Sequence, residues 1–88
     1  MIWKIEFDDR ARKELRKLDR AAQSNILHYL REKLATKDDP RRFGDPLRKN
    51  LSGFWKYRIG AYRIICDIQY NLVTVRVVCI GHRKNVYE

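Results

Sequence analysis

The sequence is poor in the features that metal centres, disulfide scaffolds and membrane spans need. Its two cysteines, Cys66 and Cys79, are too few for a disulfide framework or a zinc site. No stretch approaches the roughly 18 apolar residues of a membrane helix, and residues 1–6 have no apolar core of a signal peptide. A glycine-rich phosphate loop and a nucleophile elbow are also missing. We therefore expect no metal, no cofactor, no membrane span, and a location in the reducing cytoplasm.

Acidic residues are scarce relative to basic ones. The 88 residues include 20 Lys and Arg but only 11 Asp and Glu, which gives a formal net charge of +9. Such a charge on a small protein favours a polyanionic partner, namely nucleic acid, an acidic protein or an anionic membrane. The hydrophobic content of 44% is ample for one core. The length therefore predicts a single domain over residues 1–88.

The first half of the chain predicts one short strand followed by two helices. Residues 2–7 alternate as a strand, and Asp8 or Asp9 then offers an N-cap oxygen for a first helix that runs to about Leu18. Asp19 is a natural second cap, and an apolar stripe continues a second helix through about Ala35. Two helices on such a tight link form a helical hairpin.

The second half predicts a loop and three strands. Residues 36–50 contain Pro40, Gly44 and Pro46 and are typical of a loop. The predicted strands are 53–59, 62–69 and 72–80, with turns at Gly60-Ala61 and Tyr70-Asn71. The element order strand–helix–helix–strand–strand–strand predicts an α+β fold, a small mainly antiparallel sheet with the helical hairpin packed on one face.

The turn at Gly60-Ala61 places basic side chains opposite one another. A two-residue hairpin loop with glycine first pairs Arg58 with Arg63, and Lys56 lies on the same face because side chains alternate with period two. Directly opposed like charges destabilise a sheet. A small domain that keeps three cations together in this way is expected to bind an anion there.

The same alternation separates the hairpin into two faces. The apolar set, Trp55, Tyr57, Ile59, Tyr62, Ile64, Cys66 and Ile68, should meet the helices. The other set, Phe54, Lys56, Arg58, Arg63, Ile65 and Asp67, should form a face open to solvent. The cations of the second set are expected to line the binding site.

Three segments together resemble the RelE/ParE toxin superfamily. Residues 51–65, LSGFWKYRIGAYRII, resemble its core motif, and the opening strand that runs into Asp8-Asp9-Arg10-Ala11 is similar to its first elements. The tail, Gly81-His82-Arg83 followed by Val86-Tyr87, is similar to the RelE branch. The resemblance covers essentially the whole chain. It implies a ribosome-dependent endoribonuclease toxin that cuts mRNA in the decoding site.

The resemblance also implies which residues act. Its motif positions point to an active-site set of Lys56, Arg58, Arg63, Arg83 and Tyr87. Cleavage without metal means that a ribose 2′-hydroxyl attacks the adjacent phosphate, so arginines would hold the phosphate oxygens. The general base stays open between Lys56, Tyr87 and His82, the imidazole beside Arg83. Asp45 is a weak match to a catalytic carboxylate of a related branch.

The expected partners follow from the same resemblance. They are a cognate antitoxin, the ribosome at the A site with its 16S rRNA, and mRNA, with operator DNA contacted only through the antitoxin and no membrane. The basic face of the first helix, Arg10, Lys13, Arg16 and Lys17, is a candidate contact for ribosomal RNA phosphates. Two alternatives stay open: a ParE-like inhibitor of DNA gyrase, and a non-catalytic nucleic-acid-binding module.

Overall fold

The computed structural model describes residues 1–84 and shows an α+β domain. Its elements are β1 (Lys4–Phe7), α1 (Asp9–Arg16), α2 (Arg20–Tyr29), β2 (Asp45–Pro46), β3 (Phe54–Ile59), β4 (Tyr62–Gln69) and β5 (Thr74–His82). A π-helical turn (Leu30–Leu34) continues α2, and short 3₁₀ turns occupy Pro40–Phe43, Lys49–Leu51 and Tyr70–Leu72. The predicted fold class is confirmed.

The strands form one mixed sheet in the order β1-β5-β4-β3-β2. β1 runs parallel to β5, while every other neighbouring pair is antiparallel. The sheet is therefore mainly antiparallel, as predicted. β4 lies in the middle of the sheet, with the hairpin strand β3 on one side and the final strand β5 on the other.

Both helices begin at the predicted aspartates. The Asp8 carboxylate accepts the Arg10 N–H at 2.8 Å, and the Asp19 carboxylate accepts the Ala22 N–H at 2.7 Å. These side chains satisfy amide donors that a helix start leaves without an intrahelical partner. The helical segment reaches Leu34 as expected, but its last turn widens, since the Ala35 N–H donates to the Leu30 carbonyl at 2.8 Å.

The core lies between the helices and one face of the sheet. It contains Ala11, Ile26, Leu30, Leu34, Tyr57, Ile59, Ile64, Cys66, Val75, Val77 and Ile80. The helix-facing set predicted for the hairpin is confirmed for six of its seven members, with Trp55 and Tyr62 packing at the margin of this core, while Ile68 is buried outside it. Both cysteines are free thiols, and burial raises the pKa of the Cys66 thiol, so that it stays protonated and packs as an apolar group.

Two loop predictions are wrong in detail. Residues 36–50 contain β2, which pairs with β3, so this segment adds an edge strand to the sheet. The predicted two-residue turn at Tyr70-Asn71 is a 3₁₀ turn followed by Val73 at φ 47°. Leu72 and Val73, predicted as the first residues of the last strand, therefore belong to the turn, and the strand begins at Thr74.

A β-bulge in β5 changes which of its residues face the core. Ile65 lies opposite Cys79, but the next residue, Cys66, lies opposite Val77, so Val78 is the extra residue. A bulge shifts the alternation by one, and both Val77 and Ile80 are accordingly buried in the core. Beyond the bulge, Gly81 and Cys79 share the face of Arg63 and Ile65.

A buried tyrosine holds the loop that precedes β2. The Tyr57 hydroxyl donates to the Pro40 carbonyl at 2.7 Å, and burial raises the pKa of this phenol, which stays neutral. Gly44 passes close to the same ring, because a Cβ at this position would lie 2.9 Å from Tyr57 Cε1. The loop therefore enters β2 from a point anchored in the core.

We expect Tyr57→Phe to lower the free energy of unfolding by about 1–2 kcal/mol, because the buried Pro40 carbonyl loses its donor. Urea denaturation measures this change. Tyr70→Phe is the matched control, since its exposed hydroxyl lies 3.5 Å from an Asp39 oxygen and should contribute less than about 0.5 kcal/mol. Equal losses in the two variants would contradict a specific role for the buried bond.

Candidate functional site

The opposed arginines occur as predicted, in a row that crosses three strands. Arg58 of β3 lies opposite Arg63 of β4, and Arg63 lies opposite Gly81 of β5. Gly60 adopts φ 59°, the left-handed conformation that the first position of a II′ hairpin turn requires. Gly81 presents no side chain opposite Arg63.

Arg63 is buried, whereas the sequence predicted that it would lie on a face open to solvent. Its exposed fraction is 9%, and its Nη1 donates to the Gly60 carbonyl at 3.1 Å and to the Tyr62 carbonyl at 2.9 Å. Ile65, on the same face, is also buried. The prediction of a fully open face is therefore wrong at these two positions. For Arg63 the reason is that its guanidinium turns back onto the hairpin turn, whereas Arg58 is exposed.

Lys56 is half-buried one row further along the same face. Its cross-strand neighbours are Ile65 in β4 and Asp45 in β2. In the sequence, Asp45 is only a weak match to a catalytic carboxylate and falls in a predicted loop. The structure brings this carboxylate beside Lys56 because residues 45–46 pair with β3. No pattern in the sequence marks so short an edge strand, apart from the proline that follows Asp45.

Arg83 lies next to the hairpin turn. Its backbone N–H donates to the Ala61 carbonyl at 2.7 Å, so the residue that follows β5 is held beside the hairpin turn, one step beyond the Arg58–Arg63–Gly81 row. Its side chain is exposed. Three predicted site arginines, Arg58, Arg63 and Arg83, are thus gathered around one turn. Tyr87, the fifth member of the predicted active-site set, lies outside the described residues.

His82 is not brought together with Lys56. It lies opposite Tyr62, whose side chain belongs to the helix-facing set, and the two rings pack edge to face with centroids 5.8 Å apart. Its Nδ1 accepts the Lys84 N–H at 3.2 Å. The bulge at Val78 is the cause, because without that extra residue His82 would fall on the face of Lys56.

Glu14 fastens α1 to the strand that leads to Arg83. Its Oε1 accepts the Ile80 N–H at 2.9 Å, and its Oε2 lies 3.5 Å from Arg10 Nε. Burial and the neighbouring Glu14 carboxylate raise the pKa of the Cys79 thiol. The predicted RNA-binding set, Arg10, Lys13, Arg16 and Lys17, is exposed on α1. Glu14 was not predicted as a site residue, since nothing local in the sequence marks a contact 66 residues away along the chain.

The gathered side chains suit an anion with several oxygens. Guanidinium groups bind phosphate oxygens with paired hydrogen bonds, and a backbone held at a turn keeps them in place. Within residues 1–84, no group of three or more His, Cys, Asp or Glu side chains could hold a metal ion. Over the same range, no helix is long and apolar enough to cross a membrane.

Comparison with known proteins identifies the family. Residues 5–87 match the family described as the ParE toxin of the type II toxin–antitoxin system parDE. The toxin RelG of Mycobacterium tuberculosis is 30% identical over 88 residues, covering 100% of this chain and 99% of that protein.

Solved structures of RelE toxins show the same fold. A chain of the M. tuberculosis toxin–antitoxin complex RelBE2 superposes with a TM-score of 0.86 at 28% identity, over 97% of this chain and 95% of the other. The isolated Escherichia coli toxin RelE gives a TM-score of 0.72 at 26% identity, over 91% and 83% of the two chains. The chain therefore belongs to the ParE toxin family of type II toxin–antitoxin systems, within the RelE/ParE superfamily, and is a RelE-like toxin.

Proposed function

We propose that this toxin is a metal-independent endoribonuclease that cuts mRNA in the ribosomal A site and thereby stops translation. One observation carries the proposal: Arg58 and Arg63 lie opposite each other, and the Arg83 backbone is bonded to the turn that joins their strands. Three cations around one turn can neutralise the charge that builds up on a phosphate during cleavage. The similarity to RelE toxins supports the same reading.

The reaction would proceed by transesterification within the RNA. The 2′-oxygen loses its proton to a base and bonds to phosphorus, while the 5′-oxygen of the next nucleotide leaves and gains a proton. The products are a 2′,3′-cyclic phosphate and a free 5′-hydroxyl. Arg58 and Arg83 would hold the non-bridging oxygens, and proton transfer is assigned to Lys56 or Tyr87. His82 is the weaker candidate because it packs against Tyr62, on the other face.

Arg63 would act mainly by positioning. Its hydrogen bonds to the Gly60 and Tyr62 carbonyls fix the hairpin turn. The Ala61 carbonyl of the same turn accepts the Arg83 N–H and so holds the Arg83 backbone. The exposed Arg58 and Arg83 side chains are then the ones that reach the substrate. A site rich in charge and poor in acid–base groups would rely on the ribosome to place the RNA, since correct placement lowers the barrier substantially.

Two macromolecular partners follow from the proposal. The exposed cations of α1 would contact rRNA phosphates, because Glu14 places this helix beside the strand that ends at Arg83. A cognate antitoxin would bind and neutralise the toxin; the similar chain of M. tuberculosis RelBE2 is part of a toxin–antitoxin complex. Operator DNA would be contacted through that antitoxin, and the toxin would act in the cytoplasm, where the ribosomes are.

Arg58→Ala and Arg83→Ala should each reduce A-site cleavage about 100-fold or more, the usual effect of losing one donor to a developing oxyanion. Cleavage is measured by in-vitro translation with primer extension on stalled ribosomes. Arg31→Ala, an exposed arginine on the π-helical turn, is the control and should cut at the wild-type rate. Arg83→Ala should also relieve growth arrest while still binding the antitoxin. Wild-type cleavage in both site variants would refute this site.

Arg63→Ala should combine a stability loss with an activity loss. Removing both hydrogen bonds to the turn should lower the free energy of unfolding by about 1–3 kcal/mol, whereas Arg58→Ala should leave stability nearly unchanged. Urea denaturation and the cleavage assay are run on the same preparations. The positioning role would be excluded if Arg63→Ala retained wild-type stability.

Neutralising the α1 cations should weaken ribosome binding rather than the chemical step. The triple variant Lys13→Ala/Arg16→Ala/Lys17→Ala should raise KM with little change in kcat, and the dependence of log KM on log salt should become shallower by roughly 0.7–0.9 per lost phosphate contact. The control removes three exposed cations elsewhere, Lys4, Arg31 and Lys37. Equal salt dependence in the two triple variants would argue against α1 as the contact surface.

A ParE-like action on DNA gyrase is the second candidate, and the matched family description favours it. It predicts induction of the DNA-damage response while translation continues. A toxin that only binds nucleic acid would instead bind RNA with a steep salt dependence and yield no cleavage product. The primer-extension assay separates the proposed activity from both alternatives, because only that activity leaves new 5′ ends within A-site codons. Induction of the DNA-damage response then separates the gyrase inhibitor from the module that only binds nucleic acid.

A further inference from the structure

The last part of β5 extends beyond the end of β1. β1 pairs with β5 only as far as Val77, whereas β5 continues to His82 beside β4. The extra residue at Val78 interrupts the ladder between β4 and β5, and a bulge of this kind bends a strand. Among residues 1–84, the stretch that leads to Arg83 therefore has a neighbouring strand on one side only, and it begins directly after an irregular position.

Glu14 of α1 contacts this stretch at its free edge. Its Oε1 accepts the Ile80 N–H at 2.9 Å, so this donor points away from β4. Its Oε2 lies 3.5 Å from Arg10 Nε, one helical turn earlier, and the side chains are 27% and 71% exposed respectively. A hydrogen bond from an amide to a carboxylate is stronger than one between neutral groups, while exposed ion pairs contribute little. The bond to Ile80 is therefore the dominant contact of Glu14.

Two hydrogen bonds outside the ladder of β4 and β5 hold residues 80–83. Glu14 holds the Ile80 N–H from the side of α1, and the Ala61 carbonyl holds the Arg83 N–H from the side of the hairpin turn. The two anchored amides are three residues apart, or about 10 Å along an extended chain. A shift of the strand at Ile80 would therefore be carried to Arg83.

We propose that Glu14 is a positioning residue for RNA cleavage, and that its carboxylate holds the end of β5 so that the Arg83 guanidinium meets the substrate phosphate. The inference rests on the proposed function. Glu14 touches neither the RNA nor the reacting atoms, because it acts through the Ile80 backbone. A misplacement of about 1 Å in a catalytic arrangement can cost about 100-fold in rate, so a single hydrogen bond at Ile80 has a large effect on activity.

Loss of Glu14 should affect the chemical step and not the binding of the ribosome. α1 stays in place without this side chain, because Ala11, Leu15 and Leu18 pack in or against the core. The cations on α1 that would contact ribosomal RNA are then still presented. Removal of the Glu14 carboxylate should thus lower kcat and leave KM near the wild-type value, the opposite of the effect expected from removing the α1 cations.

Substitution of Glu14 by three residues separates a geometric role from a charge. Glu14→Gln keeps an acceptor oxygen at the same side-chain length and should retain kcat within about three-fold of the wild type, whereas Glu14→Ala and Glu14→Asp should lower kcat about 10- to 100-fold with KM little changed. Primer extension over a range of ribosome concentrations measures both constants. If aspartate kept the activity and glutamine did not, Glu14 would act through its charge as a catalytic acid or base, and the positioning role would be overturned.

Ile68→Ala is the control for a simple loss of stability. Ile68 is buried at the far end of β4, opposite Val75. Loss of its buried methyl groups should lower the urea midpoint at least as far as Glu14→Ala does, yet the variant should cut RNA at close to the wild-type rate. An equal loss of kcat in Ile68→Ala and Glu14→Ala would leave Glu14 with a structural role only and would contradict the proposal.

Amide hydrogen exchange tests the same contact without any ribosome. Exchange at an exposed edge proceeds through local opening, so Glu14→Ala should lose protection at both the Ile80 and the Arg83 amides, while Glu14→Gln and Ile68→Ala should keep it at Arg83. If Glu14→Ala changed exchange at Ile80 alone, the contact would not reach Arg83 and the proposal would be wrong. A wild-type toxin that cuts no RNA would refute the proposed function instead, and exchange at Arg83 would then decide alone whether Glu14 positions this residue.

Discussion

The site depends on the two hydrogen bonds that Arg63 donates to the carbonyls of the hairpin turn. Like charges directly opposed on neighbouring strands destabilise a sheet, and Arg58 and Arg63 are such a pair. The Gly60 and Tyr62 carbonyls offset part of this destabilisation because they accept hydrogen bonds from the Arg63 guanidinium. The same turn presents the Ala61 carbonyl to the Arg83 N–H. A single local arrangement thus keeps cations together and anchors the residue after the last strand.

The β3–β4 hairpin is held rigid by packing on the opposite face of the sheet. The helix-facing side chains of β3 and β4 pack against α2 and the turn that follows it, so the hairpin cannot adapt to reduce the repulsion between its arginines. The loop before β2 is tied to the same core through the Tyr57 hydroxyl. The entry into β2, where Asp45 pairs with Lys56, is therefore tied to the core. A preorganised cationic surface of this kind stabilises developing charge without moving.

Much of the architecture could be predicted because its signals are local. Asp8 and Asp19 begin helices through contacts two or three residues away, and a two-residue loop with Gly60 first determines the hairpin register. The short strand β2 could not be predicted, since it exists only through its pairing with β3. The left-handed Val73 was also missed, because a β-branched residue is a poor candidate for that conformation. Glu14 was missed because its partner, Ile80, is distant in the chain.

The sequence by itself determined the order of the two helices and the four longer strands, the opposed arginines and the family motif, because alternation and turn chemistry act over a few residues. Tertiary structure alone decided which side chains join those arginines. The run of apolar residues around Val78 contains no mark of a bulge, yet the bulge turns Ile80 and His82 toward the helices and leaves Gly81 opposite Arg63. Pairing with β3 likewise brought Asp45 to Lys56. The packing of the whole sheet decides which residues of distant strands pair with one another. Local sequence patterns do not reveal that pairing.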